Sequence, residues 1–182
     1  YDQNYHFQIY TAGIRTVMER VRDYLDDVGF VYIPQWQKED FLYELSRNRM
    51  EFIPMHETEL MFYSGGKNLF DITEKKNVRL EELQGIRLIQ NYQDEFLRTE
   101  TDDKNKFLSW DSLDIAVVTN SDYIMERMLK HTNIANISGS YLSDRKTGST
   151  SGIPLSVEEN QVIFGYITHR GEKMEKEVEA LI

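Results

Sequence analysis

Apolar residues recur along the chain with two periods. Ile14, Val17, Met18, Val21, Tyr24, Leu25 and Val28 are spaced by threes and fours, one continuous face of a helix. This predicts a helix over 11–28, with Thr11 as its N-cap and Gly29 as the left-handed residue past its end. The run 30–33 reads as a short strand stopped by Pro34. A second helix is expected over 37–47, with Phe41, Leu42 and Leu45 on one side. Residues 50–63 alternate around the polar stretch His56-Glu57-Thr58, which predicts a hairpin.

Further on, 78–83 suits one helical turn, 86–92 a strand, and 113–119 the strongest strand of the chain. Asn120 or Ser121 then caps a helix to His131, with Ile124, Met128 and Leu129 expected inward. Residues 134–141 read as a strand interrupted by Gly139, and 143–152 as a protruding polar loop. A hairpin of 153–157 with 161–168 and a short terminal helix carrying Met174, Val178 and Leu181 complete the order. The expectation is a single α+β domain over 1–182. It has a mainly antiparallel sheet, an N-terminal amphipathic helix, one mid-chain helix and a C-terminal helix.

Composition narrows the function classes. With 182 residues, 40% of them apolar, and only 10 Gly and 3 Pro, the chain can bury a core and is neither collagenous nor low-complexity. The net charge of −10 repels phosphate, and no basic run exceeds two residues, Lys75-Lys76 being the strongest. A nucleic-acid partner is therefore disfavoured. Absence of cysteine removes disulfides, thiolate metal sites and cysteine nucleophiles. No apolar window reaches membrane-span length, and Tyr1-Asp2-Gln3-Asn4 has no basic start followed by an apolar stretch. A soluble product, intracellular or part of a virion, is expected, made without a signal peptide and without a membrane partner.

Candidate chemistry is sparse. His6, His56, His131 and His169 show no ligand spacing, so no metal is expected. Asp111 and Asp114 flank the strong strand, but strand residues three apart point to opposite faces. Ser64-Gly65-Gly66-Lys67-Asn68 lacks the glycine and the hydroxyl that a phosphate loop requires. Ser149-Thr150-Ser151, with Glu175-Lys176-Glu177 downstream, resembles the Ser-Thr-Ser and Glu-x-Glu elements of ADP-ribosyltransferases. That resemblance implies that the first serine braces an NAD pocket, the last glutamate carries the transfer, and Arg87 holds the NAD phosphates. The helical period of the C-terminal segment sets Glu175 and Glu177 on different faces.

The chain has 2 Trp, 11 Tyr, 9 Phe and 7 Met, residue types used at protein interfaces. The leading expectation is a non-catalytic subunit of a multi-protein assembly, of the bacteriophage head–tail connector or tail-terminator type. It would need no cofactor and would meet other protein subunits as a homo-oligomer or ring neighbour. The candidate contacts are Tyr1, Tyr5, Phe7 and Tyr10 in an aromatic arm over 1–10, and Asp144, Arg145 and Lys146 in the polar loop. A small acidic inhibitor of a basic protein and an ADP-ribosyl-transfer enzyme are the alternatives.

Overall fold

The structure is a computed structural model, and it describes residues 6–65, 75–91, 113–139, 152–156, 160–173 and 176–182. Its elements are α1 (Ile14–Arg22), β1 (Gly29–Pro34), α2 (Lys38–Arg47), β2 (Met50–Tyr63), β3 (Arg87–Asn91) and β4 (Asp114–Thr119). Then follow α3 (Asp122–His131), β5 (Asn136–Gly139), β6 (Ile153–Pro154), β7 (Gln161–His169) and α4 (Lys176–Leu181). The α+β class holds, and the larger sheet is antiparallel throughout.

Helix α1 stops at Arg22, well short of the expected 28. The backbone N–H groups of Leu25 and Asp26 both return to the Arg20 carbonyl, closing the end of the helix. Two 2.7 Å hydrogen bonds from the Arg20 guanidinium to the Asp26 carboxylate hold this turn. Tyr24 takes a φ of 55°, which swings its ring off the apolar stripe and leaves it exposed. Gly13, not Thr11, precedes the helix, and Gly29 opens β1 instead of ending α1. In α2, Phe41 and Leu45 are buried whereas Leu42 is on the exposed side.

The hairpin expected over 50–63 is one strand of 14 residues. Polar residues do not force a turn here because β7 pairs with β2 from Met50 to Glu59, which satisfies the backbone through that stretch. A register shift between Pro54 and His56 absorbs the proline, which has no N–H for the ladder. The second expected hairpin is also absent. Strands β6 and β7 lie end to end along the same edge of β2, with Phe62 opposite Ile153, Met61 opposite Pro154 and Glu59 opposite Gln161.

The larger sheet has the order β1-β7-β2-β5, with β6 on β2, and its two faces carry separate cores. On one, α1 and α2 bury Met18, Val21, Phe41 and Leu45 against Val31, Ile33, Met50, Ile163 and Ile167. On the other, Leu60, Phe62 and Val162 pack with Val78, Leu83, Leu88, Ile137 and Leu155. Each fully buried aliphatic or aromatic side chain contributes about 1.5–3 kcal/mol, so these faces dominate the stability.

Strands β3 and β4 form a separate parallel pair, an exception to the antiparallel expectation. Parallel neighbours need a crossover, and α3 supplies one. It carries the chain from β4 to residues 134–135, which run parallel along the other edge of β3. Ser121 caps α3 as expected, its Oγ accepting from the Ile124 N–H at 3.4 Å. The buried face of α3 differs from the expected one. Met125 is buried with Met128 and Leu129 against Ile89 and Ile134, while Ile124 is exposed. Residues 125, 128 and 129 share one helical face.

Candidate functional site

The chain from Ile134 to Gly139 takes part in both sheets. Its first residues bond to β3: the Ile89 N–H donates to the Ala135 carbonyl at 2.8 Å, and the Ala135 N–H to the Arg87 carbonyl at 3.0 Å. Its last four form β5 and pair with β2, Asn136 opposite Tyr63 and Gly139 opposite Leu60. Beside this crossing the backbone approaches closely. A Cβ at Gly65 would overlap the carbonyl oxygens of Ile134 and Thr132, so only glycine fits there without a shift.

Strand alternation puts Ile134, Asn136 and Ser138 on one face. On β3 the same face carries Ile89 and then Asn91, and β4 sets Val117 opposite Ile89 and Thr119 opposite Asn91. The apolar members, Ile89, Ile134 and Val117, pack under α3. Toward the carboxyl ends of the strands, polar side chains replace them. Asn91, Thr119, Asn136 and Ser138 are each at most 8% exposed, and Asn136 and Ser138 are at 0%. Gln90 is equally buried at the same level of β3.

Hydrogen bonds fix this group. Asn136 Nδ2 donates to the Ile89 carbonyl at 2.8 Å, and Asn91 Nδ2 to Asp122 Oδ1 at 3.1 Å. The Ser121 N–H donates to Thr119 Oγ1 at 3.0 Å, and the Tyr63 hydroxyl to the Gly139 carbonyl at 2.9 Å. Asn136 Oδ1 is buried and accepts no hydrogen bond. Such an orphaned acceptor costs about 1–3 kcal/mol, a cost that native cores rarely carry without a use for the group.

The result is a neutral polar cluster with one carboxylate, Asp122, beside the N-terminus of α3. Open crevices at the carboxyl ends of parallel strands are where α/β sheets place ligands. Among the described residues no group of histidines and carboxylates could hold a metal. Hydrogen bonding from Arg20 holds the Asp26 carboxyl below the usual carboxylate range, and Arg22 does the same for Asp23. The Arg79 N–H and Lys75 lower Glu82, and the bond to Glu172 raises the Tyr24 phenol. The described side chains of the cluster offer hydrogen-bond donors and acceptors set by these bonds.

Of the residues singled out in the sequence as contacts, the two that are described, Phe7 and Tyr10, lie apart from this cluster. Phe7 and Tyr10 are exposed, Tyr10 lying 4.6 Å from the Arg20 guanidinium on α1. Tyr1, Tyr5, Asp144, Arg145 and Lys146 lie outside the described residues, as do Asp111, Ser149, Thr150, Ser151 and Glu175. Arg87 sits at the opposite end of β3 from the cluster, exposed, its Nε 3.9 Å from Asp114. His169 is buried with its Nε2 2.6 Å from the Val21 carbonyl. The missed residues left a faint trace: Gln90-Asn91 ends an apolar run, and Asn136 and Ser138 alternate with Ala135 and Ile137.

No protein-family model matches the sequence, and no curated protein matches it. Solved structures do match in fold. The oxidized form of OxyR superposes with a TM-score of 0.64 at 10% identity, over 97% of this chain and 78% of that one. The effector-binding domain of QuiR in complex with shikimate gives 0.63 at 9% identity, over 96% and 77%. CbnR, a LysR family transcriptional regulator, gives 0.58 at 12% identity, over 94% of this chain and 55% of that one. The chain shares its fold with these structures, the effector-binding domain of QuiR among them.

That likeness corrects the expectation of a phage connector or tail-terminator subunit, and of a virion setting. That expectation followed from residue types used at protein interfaces, which do not specify a fold. The acidic-inhibitor and ADP-ribosyl-transfer alternatives fall with it. Among the described residues no helix is long and apolar enough to cross a membrane.

Proposed function

We propose that this chain is a ligand-sensing unit of a transcriptional regulator, binding a small molecule at the polar cluster around Asn91, Thr119, Asn136 and Ser138. One observation carries the reading: buried polar side chains gather at the carboxyl ends of β3 and β4, where residues 134–139 pass from one sheet to the other. A ligand held there touches both sheets at once, which links its binding to their relative arrangement. The fold supports the reading, since QuiR's domain of this shape was solved with shikimate. CbnR was solved on its target DNA, and this chain spans 52% of that protein. With a net charge of −10, this chain is a poor phosphate binder, so DNA contact in this reading belongs to another part of the regulator. Self-association stays part of the reading, with Phe7 and Tyr10 as candidate contacts, but a ring arrangement does not.

The test is a thermal-shift screen of small polar metabolites, followed by amide hydrogen exchange with any stabilising compound. Protection confined to 89–91, 119–122 and 136–138 is the expected result. A compound that stabilises the protein while protecting only the α1–α2 side would refute the assignment of the site.

A further inference from the structure

The orphaned oxygen of Asn136 constrains what the site takes. Its partner atom Nδ2 is committed to the Ile89 carbonyl at 2.8 Å. Flipping the amide would set two acceptors against each other, so Oδ1 stays where it is, buried and without a donor. The neighbouring carboxylate of Asp122 is also an acceptor, and it already draws on Asn91. The donors at the start of α3 are partly used: the Ile124 N–H bonds to Ser121 Oγ and the Met125 N–H to the Ser121 carbonyl. Asp122, in the first turn, offsets the positive end of the helix. Among the described residues of the cluster there is no cationic side chain.

We infer that the site selects a small molecule presenting a hydrogen-bond donor, an amine or a hydroxyl, to Asn136 Oδ1, and discriminates against a plain carboxylate. This rests on the site assigned under the proposed function and adds the class of ligand. Satisfying a buried acceptor recovers the cost of leaving it bare. A carboxylate in the same place would set acceptor against acceptor at Asn136 Oδ1, with no proton to offer. Tyr63 and Ile134 lie on the same face of the strands and supply apolar surface beside the amide.

Three probes of one shape separate the possibilities: benzylamine, benzyl alcohol and benzoate, each titrated at millimolar concentration into the isotope-labelled chain and followed by nuclear magnetic resonance. The amine and the alcohol should shift the side-chain amide of Asn136 and the backbone amides of Asn91 and Ser138. Their binding should be about tenfold or more tighter than that of benzoate. In Asn136→Leu that preference should vanish. Benzoate shifting the same signals as strongly as benzylamine would leave the site standing and overturn the ligand class. Amine and alcohol binding that shifts only signals far from 89–91 and 136–138 would overturn both. No shift from any probe would mean that solvent satisfies Oδ1. That would overturn the donor class, while the site itself would still be judged by the metabolite screen.

Discussion

The ring of Tyr24 lies flat on that of His169, centroids 3.9 Å apart and planes within 5°. The two residues lock the end of α1 to the end of β7. His169 meets the Val21 carbonyl near the end of the helix, and the Tyr24 hydroxyl donates to Glu172 at 2.8 Å. His169→Ala removes one of the two partners of the Val21 carbonyl, which keeps the Tyr24 N–H, and the stack together. We expect a loss of about 2 kcal/mol in stability, read as a lowered urea midpoint. Tyr24→Gly should melt above Tyr24→Ala, because glycine takes the positive φ without strain. An Ala variant at least as stable as the Gly variant would show that the turn is not held in that conformation.

Gly165 faces Phe52 across β7 and β2. A Cβ there would come within 2.5 Å of Phe52 Cζ and would also overlap the Ile53 carbonyl. Phe52 is itself packed edge-on against Phe41, with centroids 5.6 Å apart, so its ring has little room to retreat. Gly165→Ala should therefore destabilise the protein by about 1–3 kcal/mol. Chemical denaturation checks it, and an unchanged midpoint would place Phe52 elsewhere.

The Arg20–Asp26 pair gives a signed pH dependence. The folded-state carboxyl titrates lower than an ordinary aspartate, chiefly through its hydrogen bonds from Arg20. Its contribution is complete above the unfolded aspartate value and disappears as pH falls through the lowered folded value. Wild type should melt above Asp26→Asn at neutral pH, and the gap should close under strong acid. A gap independent of pH would assign the difference to packing instead.

Asn136→Leu should leave the unliganded protein close to wild type in stability, or slightly above it. The substitution removes the orphaned Asn136 Oδ1 but takes the amide partner from the Ile89 carbonyl, and two costs of about 1–3 kcal/mol each roughly offset. Differential scanning calorimetry decides this. A fall well beyond that margin would mean that the amide serves the fold rather than a ligand.

The elements were largely legible from apolar periodicity, while their ends and partners were not. The stripe through Tyr24, Leu25 and Val28 continues the helical period, yet α1 ends at Arg22 because the Arg20–Asp26 pair closes a turn, which a pattern of apolar positions does not register. His56-Glu57-Thr58 imitates a turn because the exposed His56 and Glu57 are residues that strand and turn share, while Thr58 is buried in the strand. Ile124 and Met125 are equally apolar, and only the docking of α3 on β3 and β4 chooses Met125. The cluster was hidden for a related reason. In Ala135-Asn136-Ile137-Ser138 the alternation predicts polar residues facing water, and nothing local distinguishes water from a second buried layer. The aromatic arm drew attention because exposed aromatics are conspicuous in a sequence, whereas buried asparagines are not.

The six residues from Ile134 to Gly139 amount to a mechanical joint. A change in the angle between the parallel pair and the large sheet becomes torsion in the backbone around Ala135 and Asn136, since the residues on either side are clamped by different strands. Gly65 is pressed against that same stretch, so any such torsion has to move two segments of the chain together. Asn136 lies where one clamp gives way to the other, bonded through its side chain to β3 and through its strand to β2.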